Sequence, residues 1–245
     1  MKSKNNTILI TGAGSGIGFE TAKLLVEKGN KVIITGRNLE KLEAAAKRLG
    51  NVAVIQCDIT SESDVNNLVR RIRSEYHDLN ILINNSGAAF GYSLAEDADA
   101  YTSALKEMEV NYLAPVRLTE KLLPLLKNKA EAAVINITSV VAIVPWAVMP
   151  TYSASKAALQ SYTRLLRLSL VKSSVKVFEV LPPLVDTEFS KNIPVDKLAP
   201  SAVADAIVSG VAEDKFEIRI GFTDHFYNVN KESPEKAFNA LNGVS

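Results

Sequence analysis

A tyrosine and a lysine four residues apart could carry out acid–base chemistry in this chain. Tyr152 and Lys156 lie in the segment YSASK, and in a helix this spacing places both side chains on one face. A phenol has an ordinary pKa near 10, so acting as a base at neutral pH requires about 4 kcal/mol of preferential stabilisation of the phenolate. The adjacent ammonium and a second positive charge in the same pocket can supply energy of that order. Taken alone, the spacing also fits an ordinary surface pair.

A glycine-rich loop could bind phosphate groups. Residues 11–18 read TGAGSGIG, directly after the first predicted strand and at the start of the first predicted helix. Gly12, Gly16 and Gly18 permit a tight turn and a close approach of the backbone to a pyrophosphate, which the dipole of the helix also attracts. No lysine follows as in a P-loop, which disfavours phosphoryl transfer. The loop predicts a dinucleotide site, with an ordinary glycine-rich turn as the alternative.

The end of the second strand indicates which dinucleotide binds. Proteins that use NAD usually carry an acid about 20 residues beyond the loop, where it accepts a hydrogen bond from the ribose 2′-hydroxyl. Residues 35–38 read TGRN and contain no acid. Arg37 can instead form a bidentate pair with a 2′-phosphate, and Thr35 or Asn38 could add hydrogen bonds. We therefore expect NADP(H) rather than NAD(H), with a solvated surface arginine as the alternative.

Polar residues also follow the third and fourth predicted strands, at the sheet edge where ligands bind. Asp58 ends the third strand. Its carboxylate could accept a hydrogen bond from an adenine amino group, or it could cap the next helix. Asn84, Asn85 and Gly87 end the fourth strand, so we expect them near the same ligand.

Two more polar residues are candidates for the reacting end of the site. Ser139 ends the fifth strand, 13 residues before Tyr152, and should reach the same mouth of the sheet. Asn111 lies inside a helix predicted over 99–127, where leucine or alanine would form helix better. A functional role explains this asparagine, and an ordinary position on the helix face is the alternative.

The composition disfavours several classes of function. The chain has 245 residues, with 28 Lys+Arg and 27 Asp+Glu, and a formal net charge of +1. Binding to nucleic acid or to an anionic membrane is not expected, because neutralising several phosphates needs a basic excess. A single cysteine and two histidines rule out an intrachain disulfide and argue against a metal site. With no signal peptide or spanning segment recognisable in the sequence, we expect a cytoplasmic protein.

Short β-branched runs alternate with helical patterns along the chain. The runs are apolar almost throughout, as in strands buried on both faces, and a repeated βαβ order requires a parallel sheet with helices on both sides. We expect a single α/β domain over 1–245, a Rossmann-type doubly wound sheet of about seven strands with the seventh at an edge. The predicted strands are 8–11, 32–35, 52–57, 81–84, 133–138, 175–181 and 216–221, and the predicted helices are 16–29, 38–49, 61–76, 99–127, 151–173 and 201–213.

Three further segments bear on the substrate. The apolar residues between the candidate serine and tyrosine predict an apolar pocket, with core packing as the alternative for about half of them; they are Val140, Val141, Ile143, Val144, Trp146, Val148 and Met149. The loop 187–200, which bears Glu188, Phe189, Lys191 and Pro194, is the predicted lid. The tail over about 222–245 could cover the site, join an oligomer interface or close the core.

Together these segments resemble the short-chain dehydrogenase/reductase superfamily, in its form of about 250 residues. The resemblance extends over nearly the whole chain in the family's order: TGAGSGIG at 11–18, NNSG at 84–87, Asn111, Ser139, Tyr152 and Lys156. TGR at 35–37 and the short tail are most similar to the DltE-type oxidoreductases. Two positions depart from the family pattern. Ser86 replaces an alanine, and Pro183 replaces a glycine, which removes a backbone amide from that turn.

The resemblance implies a role for each matched position. Tyr152 would donate a proton to a carbonyl oxygen during reduction, or remove it in the reverse direction. Ser139 would orient that oxygen, and Lys156 would hold the nicotinamide ribose and lower the pKa of the tyrosine. Asn111 would hold a water that links the lysine to solvent. The implied cofactor-binding residues are Gly12, Ser15, Gly16, Ile17, Gly18, Arg37, Asn38, Asp58, Ile59, Asn85, Ser86, Tyr152, Lys156, Val185 and Thr187.

The resemblance also implies an overall activity. The protein would be an NADP(H)-dependent oxidoreductase that interconverts a carbonyl and an alcohol on a small to medium, largely apolar substrate. A homodimer or homotetramer is expected. The alternative is a catalytically silent protein on the same fold that senses the cofactor.

Overall fold

Residues 1–96, 98–191 and 195–244 are described by a computed structural model, which at residue 189 describes the backbone alone. The described strands are β1 (Thr7–Thr11), β2 (Lys31–Gly36), β3 (Val52–Gln56), β4 (Ile81–Asn84), β5 (Ala132–Ile137), β6 (Val175–Leu181) and β7 (Glu217–Arg219). The described helices are α1 (Gly16–Glu27), α2 (Leu39–Leu49), α3 (Glu62–Glu75), α4 (Ala100–Met108), α5 (Ala114–Lys127), α6 (Pro150–Ser169), α7 (Pro200–Ala212), α8 (Thr223–Glu232) and α9 (Pro234–Asn242).

The strands form one parallel sheet in the order β3-β2-β1-β4-β5-β6-β7. The chain runs outwards from β1 to β3 and then returns to the other side of β1. The strand order therefore reverses between β1 and β4, and a crevice opens at their carboxyl ends, where sheets of this type bind ligands. The predicted fold class is confirmed, with β7 at an edge.

Alternate residues of the central strand supply two separate cores. Ile8 and Ile10 of β1 pack on the side covered by α1, α2 and α7, whereas Leu9 packs on the side covered by α3 and α5. Both faces of the sheet are thus buried. This explains why the strands are apolar almost throughout instead of alternating with polar residues.

Most predicted bounds agree with the structure to within two residues, and three features differ. The predicted helix over 99–127 is interrupted by a π-helical turn at Glu109–Leu113. The helix predicted to end at residue 173 ends at Ser169, and in the turn that follows the Ser173 hydroxyl donates to the carbonyl of Leu170. The helix α8 was not predicted; an edge-to-face contact between Phe222 and Phe226 lies at its start.

Candidate active site

A cavity of about 600 Å³ opens at the carboxyl ends of the central strands. The predicted site residues that line it are Gly12, Ser15, Gly16, Ile17, Arg37, Asp58, Ile59, Asn85, Ser86, Ser139, Tyr152, Lys156, Val185 and Thr187. Three other predicted residues, Gly18, Asn38 and Asn111, lie outside this lining. The contacts described below show that these three support it.

The glycine loop has the geometry that a pyrophosphate requires. Gly12 and Gly16 have φ angles of +66° and +58°, in the left-handed region that favours glycine. A Cβ atom on Gly16 would also lie 3.0 Å from the Cγ2 of Thr187. The side chain of Ser15 does not cap α1, which leaves the amides at the start of this helix open to an anion. These residues therefore fit the phosphates of a dinucleotide.

Residues after β4 hold the glycine loop in place. The Thr11 hydroxyl oxygen accepts hydrogen bonds from the backbone amides of Asn85 and Ser86, both at 3.0 Å. The side-chain amide of Asn85 donates to the carbonyls of Thr11 and Gly12, at 2.9 and 3.2 Å. Asn85 thus supports the loop as well as lining the cavity, and its contact with a cofactor stays a prediction.

Two of the residues predicted to contact the adenosine end, Arg37 and Asp58, line the cavity, whereas Asn38 lies outside it. Arg37 is exposed there. The side-chain oxygen of Asn38 caps α2, at 2.8 Å from a backbone amide in the first turn, and its contact with a cofactor stays a prediction. Asp58 accepts from the backbone amide and hydroxyl of Thr60. The cap of α3 is Ser61, so the alternative assignment of Asp58 as that cap is wrong.

The predicted lid begins beside the glycine loop. Its first residues form a short helical turn at Glu188–Ser190, and Val185 pairs with Leu198 to join the two ends of the segment. An exposed ion pair of 3.0 Å joins Glu188 to Lys41 on α2. Pro194 and the side chain of Phe189 lie outside the described residues.

Ser139, Tyr152 and Lys156 meet where β5 ends and α6 begins. The side chains of Tyr152 and Ser139 share a hydrogen bond. The Nζ of Lys156 donates to the carbonyl of Ile137 at 2.8 Å and lies 5.6 Å from the centre of the Tyr152 ring. The phenol and ammonium therefore share one pocket, as their spacing predicted.

Burial controls the titration of this pair. It raises the pKa of Tyr152 above its ordinary value, outweighing the opposite effect of the bond to Ser139, and the negative charge of Glu107 acts in the same direction as burial. Burial also lowers the pKa of Lys156 to about 8. The ammonium alone therefore does not lower the pKa of Tyr152. The lowering predicted from the sequence also required a second positive charge in the same pocket. At neutral pH the phenol is in its protonated form, which can donate a proton.

Asn111 occupies the π-helical turn and is fully buried. Its side-chain oxygen accepts from the backbone amide of Ala88 at 2.8 Å, and its side-chain amide donates to the carbonyl of Ala88 and the hydroxyl of Ser155, at 2.8 and 2.9 Å. Asn111 therefore holds the loop after β4 against α6, close to the catalytic candidates. Its predicted contact with a water stays a prediction.

The buried acid Glu107 was missed in the sequence. It is fully inaccessible, one helical turn before Asn111, and its carboxylate accepts from the backbone amide of Phe90 and the hydroxyl of Thr151. Burial raises the pKa of this carboxyl. The signal that could have revealed it is an acid on the same helical face as the unusual asparagine.

The apolar part of the cavity combines predicted and unpredicted residues. Of the seven apolar residues between Ser139 and Tyr152, four line it: Val140, Val141, Trp146 and Met149. Val144 is buried in the core instead, while Val148 is 45% exposed. Phe222 and Leu241 of the tail also line the cavity. The tail therefore contributes to the lining of the cavity, and the choice among its three predicted roles stays open.

The sequence matches the family model for short chain dehydrogenases over residues 6–198. The chain belongs to this family. It is 42% identical over 187 residues to the uncharacterized oxidoreductase DltE of Bacillus subtilis (strain 168), covering 76% of this chain and 74% of that protein. The predicted resemblance is confirmed, and this short-chain dehydrogenase is an oxidoreductase on a nucleotide-binding fold.

Two solved structures share the fold of this short-chain dehydrogenase. A short-chain dehydrogenase from Burkholderia cenocepacia J2315 in complex with NADP is 30% identical, with a TM-score of 0.87 over 98% of this chain and 99% of that one. A short-chain dehydrogenase/reductase from Burkholderia phymatum in complex with NAD is 20% identical, with a TM-score of 0.86 over 100% of this chain and 98% of that one. At that identity, the second likeness bears on the fold alone.

The described residues provide neither a membrane-spanning helix nor a metal-binding cluster. Among the described helices, none combines the length and apolar character needed to cross a membrane. Within the same part of the chain, no group of three or more His, Cys, Asp or Glu side chains is placed to hold a metal ion.

Proposed function

We propose that this short-chain dehydrogenase is an NADP(H)-dependent oxidoreductase that interconverts a carbonyl and an alcohol on a small to medium, largely apolar substrate. The observation that carries the proposal is that the phenol of Tyr152, bonded to Ser139 and beside Lys156, lines the same cavity as the glycine loop. A bound nicotinamide cofactor supplies the hydride in reduction and accepts it in oxidation. The NADP complex of the 30% identical structure supports the choice of cofactor.

The chain's own residues would handle the proton. Tyr152, whose phenol carries its proton at neutral pH, would donate that proton to the carbonyl oxygen. Ser139 would orient that oxygen through its hydroxyl. The ammonium of Lys156 would stabilise the phenolate that remains and hold the ribose hydroxyls. A water held near Asn111 would connect this lysine to solvent.

We propose that the protein forms a homodimer or homotetramer in the cytoplasm, with one domain over 1–245 and the loop 187–200 as its lid. Exposed apolar side chains on the outer helices support self-association. Tyr101 and Leu105 of α4 are 76% and 52% exposed, and Leu165 and Leu168 of α6 are 61% and 69% exposed.

A panel of ketones, aldehydes and alcohols tests the proposed activity. Each compound is mixed with the protein and either NADPH or NADH, or with the oxidised cofactors for the alcohols, and the absorbance of the reduced nicotinamide is followed. We expect turnover of apolar carbonyl compounds with a preference for NADPH. Binding of NADPH with no turnover across the panel would instead favour the silent, cofactor-sensing alternative.

Replacing Arg37 by alanine should weaken NADPH binding selectively. A hydrogen bond to a charged group contributes about 1.5–3 kcal/mol, so the Kd of NADPH should rise roughly tenfold to a hundredfold, while the Kd of NADH changes little. Both values can be measured by fluorescence titration. Lys47→Ala, which removes an exposed cation from the helix that follows Arg37, is the matched control. Equal effects of Arg37→Ala on the two cofactors would contradict the predicted preference.

The affinity for NADPH should fall as the pH rises through about 8. Below this pH Lys156 carries its proton, and above it the free protein loses the ammonium because burial has lowered the pKa of this group to about 8. A neutral amine binds ribose hydroxyls less strongly than a charge-assisted donor does. The Kd is measured from pH 6.5 to 9.5 for wild type and for Lys156→Arg, whose guanidinium stays charged. A constant Kd in the wild-type protein would contradict the proposed contact.

A further inference from the structure

The C-terminal helices contribute to the wall of the cavity. Phe222, which immediately precedes α8, and Leu241, in the last turn of α9, line the cavity together with Trp146. Phe222 is 44% exposed, and Leu241 and Trp146 are half-buried. Apolar side chains that line a cavity without being fully buried are typical of a surface that contacts a ligand.

Asn242 connects α9 to the loop that carries Trp146. Its side-chain oxygen accepts from the backbone amide of Ala147 at 2.7 Å, and its side-chain amide donates to the carbonyl of Pro145 at 3.1 Å. One side chain therefore bonds both neighbours of Trp146. The backbone amide of Trp146 in turn donates to the hydroxyl of Ser153 at 3.1 Å, so this segment is also anchored to α6.

These hydrogen bonds connect the part of the cavity wall formed by α9 and Trp146 to the reacting groups on α6. Ser153 is buried and adjoins Tyr152 in the first turn of α6, and its hydroxyl donates to the carbonyl of Met149 at 2.8 Å. Met149 also lines the cavity. Bonds to the backbone on both sides of Trp146 thus set the distance between the C-terminal helix and the phenol.

We propose that α9 forms a specificity-determining wall of the substrate site and that Asn242 is the positioning residue that holds this wall. The inference rests on the proposed function and names its substrate class. The preferred substrate is a carbonyl compound with an unbranched apolar chain that lies along Trp146 and Leu241. Because each buried methylene raises affinity by about fourfold, chain length determines the preference.

A series of linear ketones tests whether α9 determines the preferred chain length of the substrate. Wild type, Leu241→Trp, Asn242→Ala and the control Asn239→Ala are assayed with NADPH and 2-butanone, 2-hexanone, 2-octanone and 2-decanone. Asn239 lies one turn earlier on α9 and is half-buried. In wild type and the control, kcat/KM should rise along the series. Leu241→Trp should lower kcat/KM about tenfold or more for 2-decanone, because the larger side chain fills the space that the long chain needs, and should lower it much less for 2-butanone.

Asn242→Ala should act differently from a general loss of structure. We expect a rise of about fivefold in KM for 2-decanone, which corresponds to the loss of about one hydrogen bond, with smaller changes in the kinetic constants for 2-butanone and an unchanged Kd of NADPH. Asn242→Asp keeps the acceptor for Ala147 and should recover part of the loss. An unchanged ratio of kcat/KM for 2-decanone and 2-butanone in both Leu241→Trp and Asn242→Ala would overturn the proposal.

A fluorescence measurement separates this inference from the proposed activity. Trp146 is the single tryptophan of the sequence, so its emission reports on the wall whether or not turnover occurs. In wild type and Asn239→Ala, 2-decanol should change this emission saturably, and Asn242→Ala should require a higher concentration. If wild type reduces none of the ketones but 2-decanol still changes the emission, the proposed activity is contradicted and the proposed role of α9 in binding an apolar chain is supported. If wild type reduces the ketones and the emission does not respond, the wall is refuted.

Discussion

Tyr152→Phe is expected to lower kcat for carbonyl reduction by about 10²- to 10⁴-fold, the usual contribution of a positioned general acid. The substitution removes the hydroxyl that bonds Ser139 and keeps the ring beside Lys156. The contact of Lys156 with the cofactor should therefore persist, so the Kd of NADPH should change far less than kcat does. Steady-state kinetics with NADPH, together with a fluorescence titration of the cofactor, measures both quantities.

Tyr162→Phe is the matched control, because it removes the same atom from the same helix. The hydroxyl of Tyr162 bonds Thr119, and its ring lies edge-on to Tyr112 at a centroid distance of 6.4 Å. Its loss should reduce the free energy of unfolding by about 1 kcal/mol and leave kcat unchanged. Wild-type turnover by Tyr152→Phe, or an equal loss in both variants, would contradict the role of Tyr152.

Gly18→Ala is expected to disrupt cofactor binding through a steric clash. A Cβ atom at Gly18 would lie 2.5 Å from the Nδ2 of Asn85 and 2.8 Å from the carbonyl oxygen of Gly12. The Asn85 amide cannot withdraw without losing its bonds to the glycine loop, so α1 must shift. Overpacking of this kind costs about 1–3 kcal/mol of stability. We expect a loss of that size in the free energy of unfolding and a rise of about tenfold or more in the Kd of NADPH.

Gly14→Ala provides the control within the same loop. A Cβ atom there would lie 3.7 Å from the Cβ of Lys41, an ordinary van der Waals distance. Its stability and its Kd for NADPH should therefore stay close to the wild-type values. Denaturant unfolding and fluorescence titration of the two variants side by side measure the difference. If Gly18→Ala binds NADPH as Gly14→Ala does, close packing at residue 18 is not what shapes the site.

The parts of the molecule that could be predicted are those that depend on local pattern and on the rules of parallel sheets. The apolar strands and the glycine loop are local signals. Because carboxyl ends of parallel strands share one edge, the ends of β1, β4 and β5 had to converge. This convergence brings Gly12, Asn85 and Ser139 to the same cavity as Tyr152.

Other features depend on contacts between distant segments and have no local signal. Asn242 bonds the loop at Pro145 and Ala147, about a hundred residues earlier in the chain. The π-helical turn at Glu109–Leu113 is associated with the contacts that Asn111 makes with Ala88 and Ser155. The i, i+4 spacing of the tyrosine and lysine predicted their proximity but not the extent of their burial.

That burial changes the chemical interpretation of the pair. The spacing suggested a tyrosine whose pKa is lowered towards neutrality with the help of a positive cofactor. In the structure burial raises the pKa of Tyr152 and lowers that of Lys156 to about 8. A protonated phenol can donate a proton, as the proposed reduction of a carbonyl compound requires.

Transfer of deuterium from labelled cofactor to product tests the central proposal most directly. NADPH carrying deuterium on C4 of the nicotinamide, prepared as each of the two stereoisomers, is incubated with the protein and a ketone that it turns over. One stereoisomer should give an alcohol with a single deuterium on the carbinol carbon, detected by mass spectrometry, and Tyr152→Phe should form this product far more slowly. Oxidation of the cofactor with no deuterium in the alcohol from either stereoisomer would contradict the proposal.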